Sequence, residues 1–527
     1  MKQEFKRIFD GIAGKRLLII LVAGILSFGG SWLVAYYRGV PVPHIHDEFS
    51  YLLAGDTFAH DRLTNPTHPM WRHFETFHEL MQPTYMSKYP PGQGLFLALG
   101  QIIYGQPIYG VWLSAACMCM AICWMLYGWI SPRWALVGGM VGVLQFGIFT
   151  YWSQSYWGGA VGALGGALVF GALPRIFRYQ RMRDALWLGV GIAVLVNSRP
   201  FEGILLGIPL GIMVLPWKIK WESVKTCKFI KKIGLPFGLI LLLTIITTGT
   251  YNKALTGNAL IFPHVLYDKT YSTVPYFAFE PLRKTTQYNN RIYEAYEKKK
   301  YLHKRSWGGF VEQLKNDMEK IFKFFLGFPL AVPAVVIVLV KFLCKQWIWP
   351  LIITIGIIAG TCAAVSYPAN VHYYAPFTCL VILLITYGLR YLVALLPRFR
   401  IGMIMVVSLM IFQLSLNIRV PQGFSPAQVF SLGRIIQSSE IRPTFIFTRQ
   451  VLKDFLLSKK GKHLVVIKYL PKHDVLREWV FNDADIDHSP IVWARDMGTA
   501  KNAELLEYFK DRQVWYVEVF WDMKLNA

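Results

Sequence analysis

Two acids stand side by side in the segment Pro43-His44-Ile45-His46-Asp47-Glu48-Phe49-Ser50-Tyr51. His44 and His46 beside two carboxylates could ligate a divalent metal, because imidazole and carboxylate are both ligands for such ions. The same acids suit a helix N-terminus, where the backbone dipole favours negative charge. The pattern predicts an amphipathic helix from Asp47 to about Phe58, with Asp47, Tyr51 and Ala54 on one face. Farther on, Met86-Ser87-Lys88-Tyr89-Pro90-Pro91-Gly92 sets a lysine just ahead of a forced turn. Lys88 could hold a phosphate as a point charge or snorkel to lipid head groups. Asn197-Ser198-Arg199-Pro200-Phe201-Glu202 places Arg199 and Glu202 between two apolar stretches. Ionisable groups at such depth serve a function or each other; an Arg199–Glu202 ion pair is the structural reading. Asn370-Val371-His372-Tyr373-Tyr374-Ala375-Pro376 puts a histidine beside interfacial tyrosines. Ser155-Tyr156-Trp157-Gly158-Gly159 lines the same surface or packs helices.

What positions these residues is a set of apolar blocks. The chain has 527 residues, 54% of them hydrophobic and 16% charged, against about 45–50% and 25% for soluble domains. The first block, Leu17–Tyr37, follows Lys2, Lys6, Arg7, Lys15 and Arg16. It is too long for a signal-peptide core and lacks a small-residue cleavage site, so it reads as a retained helix. Further spans are expected near 107–130, 134–152, 157–173, 185–199, 201–217, 233–252, 324–344, 347–367, 373–396 and 400–418, about eleven crossings in all. Residues 91–105 are apolar but short, and are expected to dip into the membrane or lie at its interface.

The formal charge is +24, but its placement does not describe a nucleic-acid surface. Arg175, Arg178, Arg181 and Arg183, then Lys218, Lys220, Lys225, Lys228, Lys231 and Lys232, then Lys341 and Lys345, then Arg398 and Arg400 all sit in short segments between apolar blocks. That is the positive-inside pattern. It places the N-terminus in the cytoplasm and puts outside the first loop (39–106), a short turn at 153–157, a long loop (253–323) and the C-terminal region (419–527). The motifs above then share one side of the membrane. The long loop is itself basic, with Lys298-Lys299-Lys300 and Lys304-Arg305; it lies against anionic head groups or is simply solvated. Residues 419–527, after a Pro421–Pro426 linker, read as a small soluble α/β domain, with β-rich runs at His463–Leu470 and Gln513–Phe520 and a helix at Asn502–Lys510. The seven cysteines lie in or beside apolar blocks or basic loops and form no disulfide framework. The fold class is an α-helical polytopic membrane protein, domain 1–418, with this C-terminal domain.

An N-in helix, an outer loop opening with Asp-Glu, then Lys88-x-Pro90-Pro91-Gly92 leading into apolar helices, resembles the GT-C membrane glycosyltransferases. The similar groups are the family 39 protein O-mannosyltransferases and the aminoarabinose transferases that modify lipid A. Arg199-Pro200 and His372-Tyr373-Tyr374-x-Pro376 also look like bacterial members. The resemblance covers roughly residues 17–418. It implies an inverting transfer of a sugar from a polyprenyl phosphate to a glycolipid, glycan or protein acceptor on the outer face of a plasma membrane, that of the bacterial inner membrane. It implies Asp47, with Glu48 as neighbour, as the catalytic carboxylate, since the acceptor hydroxyl must lose a proton. Lys88, Arg199 and His372 are then the candidates to meet the charge of the phosphate leaving group. Asp56 and Glu202 are candidate second acids. No organic cofactor is implied, and a divalent metal remains open at His44 and His46. No β-trefoil insertion of the eukaryotic kind is evident in 253–323. The alternative function is a transporter or flippase of a lipid-linked or anionic solute, for which inverted repeats and midplane charges are the usual signature; no internal repeat is seen.

Overall fold

The computed structural model describes residues 9–214, 229–283, 291–343, 349–367, 370–396, 399–419, 431–438, 446–471 and 473–521. Lys2, Lys6, Arg7, Lys218, Lys220, Lys225, Lys228, Lys345, Arg398, Cys227, Cys344 and the Pro421–Pro426 linker lie outside the described residues. Among those described, five helices are long and apolar enough to cross a bilayer: Arg16–Arg38, Ile108–Trp129, Ala160–Tyr179, Ile230–Thr256 and Val371–Leu395. A sixth crossing arises if Trp307–Phe325 and Gly327–Val340, which meet at a 92° bend, count as one. These helices identify a membrane protein.

The expectation of about eleven spans meets shorter elements. Met182–Val196 has 15 residues, about 22 Å of rise against a hydrocarbon core of about 30 Å. Gly92–Tyr104 has 13. The block near 134–152 is broken: helix Pro132–Gly142 passes into a π-turn at Val143–Gly147. The Gly147 carbonyl freed there accepts the hydroxyls of Ser27 (2.9 Å) and Ser31 (2.8 Å) from the first helix, which satisfies the irregular backbone inside the bundle. The chain then runs through the short helix Tyr151–Gln154 into the Ser155–Gly159 turn.

Small residues set how closely the elements meet. The Asp47 helix, His46–Ala59, packs against Gly92–Tyr104. A Cβ on Gly55 would stand 2.7 Å from Leu97 Cβ, and one on Gly94 2.7 Å from Ala54 Cβ. Gly92 donates its N–H to the Asn197 carbonyl at 2.7 Å, and a Cβ on it would meet that oxygen at 2.6 Å. The Pro90-Pro91-Gly92 turn is therefore fastened directly to the Asn197–Arg199 turn.

The β-rich runs of the C-terminal region form strands His463–Tyr469 and Gln513–Trp521, and the helix spans Thr499–Tyr508. The sheet order is Ile446–Phe447, Ser431–Ser438, Gln513–Trp521, His463–Tyr469, Ile491–Arg495. His463–Tyr469 pairs in parallel with both neighbours, Leu464 opposite Val514 and Val492. Its buried faces need two layers of cover. One cluster packs Leu452 and Leu456 against Val465, Trp493 and Trp515. The other joins Leu464, Val466, Val492, Ala494 and Leu505 to Leu53, Phe74, Met81 and Tyr85 of the segment 39–106. The expected boundary at residue 419 thus separates segments that share one hydrophobic core.

The long loop holds helices Pro263–Tyr271, Arg291–Arg305 and the start of Trp307–Phe325. Its basic run is not uniformly free. Lys304 is buried and donates to the carbonyls of Cys362 (2.8 Å) and Val365, at the end of the helix Trp349–Ala364, where a cation meets the negative end of the dipole.

Candidate functional site

The Asp47 helix presents three working faces. Phe49, Leu53 and Asp56 turn to the C-terminal domain. Phe49 stacks on Phe481 at 4.6 Å, with Arg449 over its ring at 5.2 Å. Asp56 accepts the Ala484 N–H at 2.8 Å and the Gln101 amide at 2.9 Å. Asp56 is therefore occupied in docking, and its place as a second acid is not favoured by its partners.

Asp47 and Tyr51 turn the other way. The Asp47 carboxylate accepts from the Tyr89 hydroxyl, and its second oxygen lies 3.8 Å from His78 Nε2. Tyr89 stacks on Tyr51 with centroids 4.4 Å apart. Asp47 is 23% exposed. These contacts are to the segment after the helix, not to the N–H groups of its own helix, so capping does not account for this carboxylate.

Glu48 is placed differently from its neighbour. It is 1% exposed. One oxygen accepts the N–H of His44 (2.9 Å) and of Ile45 (3.4 Å), the other the N–H of Tyr156 (3.1 Å). Burial pushes its carboxyl up to about 7, against the pull of those three donors. The residue closes the start of its own helix and ties it to the Ser155–Gly159 turn. It is a latch rather than a group open to substrate.

Arg199 comes from the turn that Gly92 clamps. Its guanidinium lies over the Tyr373 ring at 5.3 Å and 4.0 Å from Glu202, so the ion pair expected as the structural reading is present. Glu202 is thereby the partner of Arg199. The charges of Asp47 and Arg199 are both felt at Tyr51, Tyr89, Tyr151 and Tyr373. Tyr89 accordingly touches Asp47, and Tyr373 lies under Arg199. His372 is buried and pairs its Nδ1 with Tyr151 Oη at 3.0 Å, its ring 4.7 Å from Trp157 and 4.8 Å from Tyr373. The segment reaches the site because a Cβ on Gly166 would stand 2.1 Å from the Pro376 carbonyl, so only glycine lets the two backbones touch.

Lys88 adjoins Tyr89, the hydroxyl partner of Asp47. Its ammonium lies 4.4 Å from the Tyr267 centroid and 5.6 Å from that of Tyr89. Its charge is felt at His78, His264, Asp268 and Glu297. The long loop therefore contributes to the site, through Tyr267, Asp268 and Glu297, which sequence reasoning missed. Tyr89 sits inside the Lys88–Gly92 motif and could have been found there; His78 carries no sequence signal.

The two histidines that could ligate a metal each have other surroundings. His46 is buried and both ring nitrogens are used, Nδ1 with Thr76 Oγ1 at 3.1 Å and Nε2 with the Val475 carbonyl at 2.7 Å. His44 is held down to about 4 by burial and by Arg477. Among the described residues, no three His, Cys, Asp or Glu side chains gather to hold an ion. Instead, His46 belongs to a polar knot. Glu478 accepts from Arg495 (3.0 Å), Tyr293 (2.5 Å), Thr76 (3.2 Å) and Tyr469. Burial would raise Glu478, but Arg495, His46 and the two phenols win and hold it at about 2. The knot joins the C-terminal domain, the long loop and the start of the Asp47 helix.

No family model matches the sequence, and no curated protein matches it. Solved structures of the oligosaccharyltransferase of Archaeoglobus fulgidus are loosely similar. The apo form shares 9% identity over 78% of this chain and 57% of its own, with a TM-score of 0.43. The form tethered to an acceptor peptide shares 10% identity over 86% of this chain and 62% of its own, also at 0.43. The complex with an inhibitory peptide and dolichol phosphate gives 9% identity and 0.36. The chain spans about three fifths of the length of those proteins.

Proposed function

We propose that this protein is a GT-C glycosyltransferase that moves a sugar from a polyprenyl-phosphate donor to an acceptor hydroxyl on the non-cytoplasmic face of the membrane. The observation that supports the reading is the Asp47 carboxylate, held by outer-loop side chains and sharing its tyrosine surround with Arg199. In the reaction, the acceptor oxygen attacks the anomeric carbon as the bond from that carbon to the phosphate oxygen breaks. The acceptor proton passes to Asp47, and the electron pair leaves with the polyprenyl phosphate. Attack opposite the leaving group inverts the anomeric centre. Arg199 and Lys88 meet the charge developing on the phosphate. Glu202 holds Arg199, His372 supports Tyr151 and Tyr373 beside it, and Glu48 fixes the helix from which Asp47 projects.

The test is sugar transfer in membranes supplied with a radiolabelled polyprenyl-phosphate donor pool, comparing wild type with Asp47→Asn. The substitution keeps size and removes the base. Loss of transfer with normal protein abundance is expected, by about 100-fold or more. Equal transfer by the variant removes Asp47 from the role. Absence of transfer by wild type across the donor pool, with movement of labelled lipid between leaflets, turns the reading to a flippase.

A further inference from the structure

His78 has a set of features that neither packing nor the reaction as written uses. It is a non-glycine residue in the left-handed region, φ +68°. Such backbone persists only where the surroundings over-determine it, and it gathers at functional sites. Here three hydrogen bonds hold it. Its N–H donates to Tyr267 Oη at 3.0 Å, and its carbonyl accepts from Ser50 Oγ at 2.6 Å and from the Lys88 N–H at 3.0 Å. Ser50 lies one turn past Asp47 on the same helix, so the loop residue is tied to the helix that carries the base.

The imidazole is 24% exposed and stands among the rings of His46, Phe77, Tyr89 and Tyr267. Nε2 faces Asp47 Oδ2 at 3.8 Å, within about 1 Å of a hydrogen bond, and catalytic contacts of this kind shorten when substrate binds. Nδ1 is buried and has no hydrogen-bond partner among the described residues. A proton on Nδ1 would be a buried donor without an acceptor, so the neutral ring carries its proton on Nε2. Burial, with the charges of Lys88 and His46, holds the group well below its ordinary range and keeps it neutral.

We propose that His78 is a positioning residue for the Asp47 base, its Nε2–H directed at Oδ2 while the Tyr89 hydroxyl holds Oδ1. With both oxygens tethered, the carboxylate has one orientation left, and its free lone pair points to where an acceptor proton would arrive. The inference rests on the role of Asp47 proposed above.

Two substitutions separate a donor from a backbone role. Glutamine can place its amide N–H near the position of Nε2; asparagine is too short to do so. Asparagine, however, suits positive φ better than glutamine does. Transfer is measured for His78→Gln, His78→Asn, His78→Ala and Asp47→Asn in membranes with the labelled polyprenyl-phosphate pool, with rates normalised to folded protein from thermal melting in detergent. The expected result is that His78→Gln keeps kcat within about fivefold of wild type, while the Asn and Ala variants lose about 10- to 100-fold in kcat with the donor KM within twofold. Asn at or above Gln in kcat, or melting losses with kcat unchanged, overturns the proposal. If the Asn and Ala variants do not accumulate, His78→Gln decides alone: a collapse of its kcat at wild-type melting overturns it. Activity in Asp47→Asn refutes the base instead, whereas an inactive Asp47→Asn with unaffected His78 variants refutes only the role of His78.

Discussion

Replacing Glu48 with glutamine keeps the shape of a buried side chain and removes its ability to titrate. Glu48 accepts three backbone N–H groups, and burial raises its carboxyl to about 7 from an ordinary 4.5. A carboxyl raised in the folded state keeps its proton where the unfolded chain has already released it. Stability from this group is therefore fully present below about pH 4.5 and is lost as the pH rises through about 7. Between pH 5 and pH 8 the linkage amounts to about 2–3 kcal/mol. Other titrating groups are common to wild type and Glu48→Gln, so the difference between the two isolates this one. The assay is the unfolding free energy in detergent across that pH range. Wild type should lose about 2–3 kcal/mol more than the variant from pH 5 to pH 8. At pH 5 the variant should be less stable than wild type by about 1–3 kcal/mol, because an amide NH2 must face one of the donors that the carboxyl accepted, and that gap should close as the pH rises to 8. Parallel pH curves for the two proteins would refute the reasoning, since Glu48 would then titrate alike in both states.

Two further outcomes can be measured directly. Arg199→Lys keeps the charge but loses the planar fork that lies over Tyr373 and reaches Glu202; kcat/KM for the donor should fall by about 10- to 100-fold, and a value within twofold of wild type removes Arg199 from phosphate binding. Arg495→Ala leaves the Glu478 carboxylate buried without its cation, which should cost about 3–5 kcal/mol. Pairing it with Glu478→Gln should recover part of that loss, measured as melting temperature in a double-mutant comparison.

Membrane insertion, the Asp47 helix and the strands and helix of the C-terminal region were legible from the chain, because each follows from local pattern. Apolar length alone marks a helix such as Arg16–Arg38, and the β-branched run Val465-Val466-Ile467 marks His463–Tyr469. The position of Asp47 at a helix start was equally local. The number of crossings was less so. Hydropathy reads residues 134–152 as one block, but the π-turn at Val143–Gly147 depends on hydroxyls of Ser27 and Ser31, more than a hundred positions away.

The tertiary structure decided the division of labour between adjacent residues. Asp47 and Glu48 look alike in sequence, yet a turn of 100° per residue sends one to Tyr89 and His78 and the other into backbone donors. His44 and His46 have the spacing of a weak metal pair, but Thr76 and Val475, the latter 429 positions away, already occupy His46. His78 could not be read at all, because nothing in a Phe-His-Glu-Leu string signals a left-handed backbone or a neighbour across the loop. Likewise, composition draws a boundary at residue 419, and long-range packing carries one apolar cluster across it. Leu464 and Val492 need an apolar layer to cover their face of the sheet, and Leu53 and Phe74 of the segment 39–106 supply it. Residue types and spacing determined which groups were available for chemistry; long-range packing, which no local pattern encodes, determined which of them face one another.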